Sequence, residues 1–245
     1  PHDTSSMMLL ISGGAALSAP VKAALLEKIP TTAIMDGLGS SEAGTQASQV
    51  VGAGQEVSTG TFKAGTGSCI VDEELAHLLE PGHEGIGWLA QRGHIPLGYL
   101  GDADKTARTF PVIDGQRVSI PGDRARLLVD GTIELHGRDS VTINSGGEKI
   151  FAEEVEAALM HHPAVYDAVV AGRPSERWGS EVVAVVQLRE GHDAGVDDLR
   201  ESCAAHIARY KLPKDIVFVD RIVRSPAGKA DYRWARSVIT ATEDR

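Results

Sequence analysis

The chain has 245 residues, 42% of them apolar and 24% charged, with a formal net charge of −10. That is the composition of an ordinary globular protein with material for a sizeable core, and the length suits one large domain or two ordinary ones. The acidic balance, with no basic block standing out, argues against a phosphate-tracking nucleic-acid binder. Cys69 and Cys203 lie too far apart for a zinc knuckle or redox pair, and the longest apolar runs, such as Val182 to Val186, are too short to span a bilayer.

The opening Pro-His-Asp-Thr-Ser-Ser has no basic region leading into an apolar stretch, so no secretory signal is read there. Sparse cysteine fits a reducing cytosol, and a cytoplasmic location is expected. The chain has no starting Met and enters a strand at once, as a piece of a longer chain would.

In chain order, Met7 to Ile11 predicts a short buried strand that stops at Ser12-Gly13-Gly14. Pro20 to Lys28 has helical spacing with Pro near its start. Thr31 to Met35 predicts a second strand running into a polar loop, Asp36 to Glu42. Strand, helix and strand in this order suggest a layered α/β domain. From Gly52 to Gly101 glycines are frequent and helix formers sparse, which predicts a β-rich subdomain with strands at Cys69–Val71 and Gly87–Gln91. Asp102 to Phe110 predicts a short helix with Asp at its start. Strands at Gln116–Ile120 and Ala125–Val129 follow, the latter turning at Asp130-Gly131 into Thr132–Leu135.

After His136-Gly137-Arg138-Asp139-Ser140 the texture changes to alternating strands and helices. Helices are predicted over Ala152–His161 and Val196–Ala208, and strands over Ala164–Ala171, Glu181–Leu188 and Asp215–Val219. This suits a small α+β domain. The expected organisation is residues 1–137 as the C-terminal portion of a large α/β domain with its β-rich subdomain, 138–140 as a hinge, and 141–245 as the small domain.

Four polar, glycine-containing loops could carry chemistry. Ser12-Gly13-Gly14-Ala15 lets a backbone approach a flat ligand, or is a plain turn. Asp36 to Glu42 offers glycines, hydroxyls and a carboxylate for phosphate oxygens and a divalent cation, or is a helix N-terminus capped by Ser40 or Ser41. Asp123, after Pro121-Gly122, could accept the hydroxyls of a ribose, or sit in a turn. Lys229, in Ser225-Pro226-Ala227-Gly228-Lys229, could neutralise developing negative charge, or be one more solvated lysine. Stock motifs fail. Gly60 to Gly67 ends in Thr66-Gly67 where a phosphate loop needs Lys-Ser/Thr, and Gly37-x-Gly39 lacks the third glycine of a dinucleotide fingerprint. His161-His162 has no partner at metal-ligand spacing and reads as a helix end before Pro163.

The order of Ser-Gly-Gly-Ala, Asp-Gly-Leu-Gly-Ser-Ser-Glu, Gly-Tyr-Leu, Gly-Asp, Gly-Arg and Gly-Lys resembles the successive core motifs of the adenylate-forming superfamily. The stretch Gly137 to Glu156 is similar to the hinge and CoA-facing loop of its fatty-acid-type acyl-CoA synthetases. The resemblance covers essentially the whole chain and implies an ATP-dependent acid–CoA ligase. Its substrates would be ATP, coenzyme A and a carboxylic acid of fatty or steroid type, with Mg²⁺ as the metal.

It implies that Gly14, Ala15 and Ala16 line an adenine pocket and that Asp36 faces the adenine amino group. Gly37, Leu38, Gly39 and Ser40 continue that wall, with Leu38 in place of the usual aromatic ring, at a loss of ~1 kcal/mol of stacking. Ser41 contacts phosphate, Glu42 is the Mg²⁺ ligand, and Asp123 anchors the ribose although Pro121 replaces a small hydroxyl residue. Arg138 contacts ribose or phosphate, and Ser140 falls at the hinge position, where Asp or Lys is more usual. Gly146 and Gly147 form the glycine loop beside the pantetheine tunnel, with Lys149 near it, and Lys229 is the adenylation lysine. The Ser/Thr/Gly-rich phosphate loop of such enzymes belongs upstream of Ser12, so the chain alone is expected to be inactive. Transfer of the acyl group to a carrier-protein thiol, or a non-catalytic nucleotide-binding piece, are the alternatives. Whether the protein forms a homo-oligomer is not readable.

Overall fold

A computed structural model describes residues 2–243, which divide into two compact units with their boundary between His136 and Gly137. The first is built from β1 (Leu9–Gly13), α1 (Ala19–Lys28), β2 (Ala33–Ser40), β3 (Gly44–Val51), β4 (Thr61–Ala64), β5 (Ser68–Val71), β6 (Leu78–Leu79), β7 (Gly87–Arg92), α2 (Ala103–Thr109), β8 (Val112–Ile113), β9 (Gln116–Ser119), β10 (Asp123–Leu127) and β11 (Thr132–Arg138). One sheet runs in the order β1-β2-β3-β4-β11-β10-β7-β5-β6, with β9 pairing β7 and β8. β1 and β2 are parallel neighbours joined through α1, the expected α/β layer. α1 carries Pro20 in its first turn, where a missing N–H costs nothing, and it buries Leu26 against Ile34 and Val51. α2 is capped by Asp102, whose carboxylate accepts the Lys105 N–H at 2.9 Å.

Two expectations need correction here. The first strand begins two residues later than predicted and is not buried: Met8 is 81% and Ile11 69% exposed. It is an edge strand, and only its alternate side chain Leu10 packs against the α1 cluster. The second strand does not stop at Met35 but runs on to Ser40, and Asp36 to Glu42 is neither a free loop nor a helix start. Pairing with β3 satisfies its backbone, and the hairpin turns at residues 41–43. Register slips at Leu38/Gly39, so that Gln46 bulges out of the ladder between Thr45 and Ala47.

The second unit comprises β12 (Ile143–Ser145), β13 (Glu148–Ile150), α3 (Ala152–Leu159), β14 (Val165–Ser175), β15 (Gly179–Leu188), α4 (Val196–Ala204), β16 (Asp215–Phe218) and α5 (Tyr232–Glu243). β14 and β15 form a long antiparallel ribbon, and β16 lies parallel to β15. The ribbon is buried on both faces. Ala168, Val170, Val182, Ala184 and Val186 pack with α3 and α4. Val169, Ala171, Val183 and Val185 pack with Ala235 and Ile239 of α5. That explains the unbroken apolar run at Val182–Val186, since a strand with two covered faces has no polar side to show. α4 stops at Ala204, short of the predicted Ala208, and α5 is an element the sequence reading did not name.

Candidate functional site

In the first unit, the parallel pairing sets Ser12 opposite Asp36 and Gly13 opposite Gly37. The chain leaving β1 through Gly14, Ala15 and Ala16 therefore starts beside the Gly37–Ser40 stretch of β2. All three residues of that exit are exposed. Two of the four candidate loops are thus brought to one end of one strand pair.

Asp36 does not present a free carboxylate there. It is 3% exposed, and Lys22 Nζ lies 2.8 Å from its Oδ2. Lys22 also donates to Gln49 Oε1 at 2.6 Å and to the Ser58 carbonyl at 2.9 Å. The side chain faces α1 with Ile34, because residues two apart share a face. Its observed work is to pin α1 on the sheet. Leu38 packs against the apolar cluster containing Phe62, Ile70 and Leu89.

Ser41 is exposed in the β2–β3 turn, and Glu42 beside it is partly exposed. Tyr99 donates its hydroxyl to Glu42 Oε1 at 2.7 Å. That bond holds the Glu42 carboxyl below its ordinary value, partly opposed by burial, with the charge of Lys105 adding a weaker pull downward. Ser40 Oγ is buried with no well-formed hydrogen bond, yet it lies near enough to Glu42 to favour its charged form slightly. Lys105 Nζ sits 3.8 Å from the centre of the Tyr99 ring. The result is a carboxylate kept ionised and aimed by a phenol from a distant part of the chain. Sequence reading noted Gly98-Tyr99-Leu100 as a motif but gave Tyr99 and Lys105 no task. Asp123 opens β10, 5% exposed, four places along the sheet from β2.

In the second unit, Lys229 is exposed on a tight loop. Ser225 N–H donates to the Lys229 carbonyl at 2.9 Å, Gly228 N–H to the Ser225 carbonyl at 2.8 Å, and Lys229 N–H to Ser225 Oγ at 3.1 Å. Gly146 and Gly147 are the two central residues of the β12–β13 hairpin, with φ of 61° and 92°. Left-handed φ at both is what a two-residue hairpin turn demands, hence the glycine pair. Gly146 N–H donates to the Trp178 carbonyl at 2.9 Å, and a Cβ at Gly146 would come within 2.9 Å of the indole. Trp178 is 38% exposed, with the Arg177 guanidinium 4.7 Å and Lys214 Nζ 6.0 Å from its ring. This aromatic and basic cluster was missed, since its members are spread over 37 positions from 177 to 214. Lys149 is exposed on β13, and Arg138, at the end of β11, donates its backbone N–H to Glu153 Oε1 at 3.2 Å.

Lys229 and the glycine turn lie toward opposite ends of the β14–β15 ribbon. The lysine loop is tied to Asp167 near one end through Arg224, and the glycine turn touches Trp178 at the other. Eight residues of strand separate Asp167 from Ser175, roughly 26 Å at ~3.3 Å per residue.

Among the described residues no group of three or more His, Cys, Asp or Glu side chains could hold a metal ion. Glu42 is a single hard oxygen donor beside an exposed hydroxyl. Such a set fits Mg²⁺ only where phosphate oxygens and waters complete the shell, which is how that ion is usually held. No helix among the described residues is long and apolar enough to cross a membrane.

Residues 154–229 match the AMP-binding enzyme C-terminal domain. The chain is 59% identical over 234 residues to the medium-chain acyl-CoA ligase Mig of Mycobacterium avium, covering 96% of this chain and 42% of that one. It is 45% identical over 237 residues to the 3-oxocholest-4-en-26-oate–CoA ligase of Rhodococcus rhodochrous, again covering 96% and 42%. The chain therefore spans less than half the length of these relatives. Among solved structures it resembles the anthranilate CoA ligase AuaEII in complex with anthranoyl-AMP, with TM-score 0.81 and 26% identity over 98% of this chain and 46% of that one. It also resembles the amide bond synthetase McbA from Marinactinospora thermotolerans, with TM-score 0.83 and 25% identity over 97% and 47%.

Proposed function

From the premise that this chain belongs to the adenylate-forming superfamily, as the C-terminal part of an acyl-CoA-ligase-type chain, we propose that the whole protein joins a carboxylic acid to coenzyme A at the expense of ATP. The observation that carries this reading is the ribbon of the second unit, with an exposed lysine toward one end and a glycine turn toward the other. Two elements anchored at opposite ends of a strand stretch roughly 26 Å long do not suit one small site at the same time. They suit two successive half-reactions served by reorienting that piece about Arg138–Ser140.

In the first half-reaction an oxygen of the acid attacks the α-phosphorus of ATP. The bond to the β-phosphate oxygen breaks, pyrophosphate leaves, and an acyl-adenylate forms. Charge grows on the phosphoryl oxygens, and the ammonium of Lys229 supplies the opposing charge. Gly14, Ala15, Ala16 and the Gly37–Ser40 backbone form the wall for adenine, Ser41 contacts phosphate, Asp123 holds the ribose, and Arg138 contacts ribose or phosphate. Mg²⁺ held by Glu42 with the nucleotide phosphates would neutralise phosphate charge, and Tyr99 keeps that carboxylate ionised and aimed. Asp36 enters only through its buried support of β2.

In the second half-reaction the thiol sulfur of coenzyme A attacks the acyl carbon. The thiol proton is lost, the carbon–oxygen bond to AMP breaks, and the thioester forms. The side-chain-free Gly146-Gly147 turn leaves room for the pantetheine arm, and Trp178, Arg177, Lys214 and Lys149 offer a ring and positive charge to the nucleotide end. The substrate is proposed to be a fatty or steroid side-chain acid, the classes named by the relatives, and the protein to work in the cytoplasm.

The test uses a full-length protein carrying this chain. Lys229→Ala should lower acid-dependent pyrophosphate exchange a hundredfold or more, yet leave thioester formation from supplied acyl-adenylate within about threefold. Gly147→Leu should do the reverse. Equal loss in both half-reactions for either variant would sink the assignment, and product formation without coenzyme A would favour a carrier-protein acceptor.

A further inference from the structure

The lysine loop is exposed, yet a side-chain fork ties it to the ribbon. Arg224 sits at its entrance, bridged across to Ala230 at its exit. The Arg224 guanidinium grips Asp167 with a two-pronged fork, Nε to Oδ2 at 2.7 Å and NH2 to Oδ1 at 2.6 Å. Its remaining nitrogen, NH1, donates to the Gly228 carbonyl at 3.1 Å, the peptide that leads into Lys229. Gly228 itself holds φ +77°, which L side chains rarely adopt. Asp167 is aimed by a defect in the ribbon, for the β14–β15 register slips between Val165 and Asp167. A bulge of this kind re-aims the side chain that follows it. Its Oδ1 also accepts the Ala168 N–H at 2.8 Å, which fixes the carboxylate further.

We propose that Asp167 and Arg224 are positioning residues for Lys229: the fork on Asp167 and the bond to the Gly228 carbonyl set the direction from which the lysine ammonium is presented to the phosphoryl group. The idea rests on the adenylation role given to Lys229 above. A fork made of three separate guanidinium nitrogens cannot be replaced by lysine, whose ammonium is a point donor. The loop has no apolar anchor of its own, since Pro226, Ala227, Gly228 and Lys229 are all exposed. Loss of the fork should therefore free the lysine without emptying a core.

In the full-length protein, Asp167→Asn and Arg224→Lys should each lower the maximal rate of pyrophosphate exchange tenfold or more. The KM for ATP should change less than threefold, and thioester formation from supplied acyl-adenylate should stay within twofold. A merely structural pair would lower both half-reactions together, and that result, or no change in either, overturns the proposal. Should Asp167→Asn fail to fold, Gly228→Ala decides, because a Cβ there meets nothing within 4 Å but opposes the left-handed backbone. It must give the same split, and an unaltered exchange rate refutes the mechanism. Lys229→Ala run alongside separates the two levels. If it shows no split, the adenylation reading fails. If it splits and the fork variants do not, only this positioning proposal fails.

Discussion

Lys22 is the most informative single side chain in the first unit. It is fully buried, and its ammonium is shared among Asp36, Gln49 and the Ser58 carbonyl. A buried pair of this kind contributes little net stability as a whole, but removing one partner strands the other's charge. Lys22→Met should therefore destabilise the unit by roughly 3–5 kcal/mol, and a Lys22→Met/Asp36→Leu double variant should recover much of that loss. Denaturant midpoints check this, and a single variant within about 1 kcal/mol of the parent would contradict it. The family resemblance set Asp36 beside the adenine amino group, whereas in the structure its carboxylate is buried against Lys22. No local pattern shows that a lysine 14 positions earlier, on the preceding helix α1, takes that carboxylate. The place of Glu42 in a turn is a local matter, whereas its phenolic partner, 57 positions on, is not.

At the scale of elements, α3 carries a group that links stability to pH. Glu156 keeps some exposure as a residue, but its carboxyl is enclosed, and burial raises it from an ordinary 4.5 to about 8. The Val170 N–H, 2.9 Å from Oε1, opposes that rise, while the negative charge of Glu153 adds to it. Burial together with the charges of Glu156 and Glu153 also pushes the Tyr232 hydroxyl up. The folded state thus holds a proton on Glu156 that the unfolded chain releases near its ordinary value. The contribution is fully present below about 4.5 and is lost as pH rises through about 8. Glu156→Gln should flatten the fall in stability over that window, measured as melting temperature against pH, and an unchanged slope would refute the link. The elements themselves were well foreshadowed where periodicity or capping is local, as in α1, α2, α3 and the ribbon. α5 was not, although the two-faced apolar run Val182–Val186 required a second covering layer and Trp234, Ala235, Val238 and Ile239 share one helical face.

At the scale of the whole molecule, each apolar cluster stays within one unit. Those around Ile70, Val118 and Ile34 belong to the first unit, and those around Val155 and Val183 to the second. A unit with its own core can fold alone. Residues 137–245 expressed separately should give one cooperative thermal transition with native-like near-ultraviolet dichroism; a non-cooperative melt would show that the second unit depends on the first. The sequence by itself determined the class of fold, the change of texture near Gly137, and the series of glycine-flanked loops, because turn chemistry and apolar periodicity act over a few neighbouring residues. Tertiary structure alone decided that Asp36 turns inward to Lys22, that Tyr99 aims Glu42, that Asp167 grips the lysine loop, and that Trp178 backs the glycine turn. Each of these joins groups from 14 to 57 positions apart, or lies on a face chosen by strand register, and no local pattern encodes which distant partner arrives.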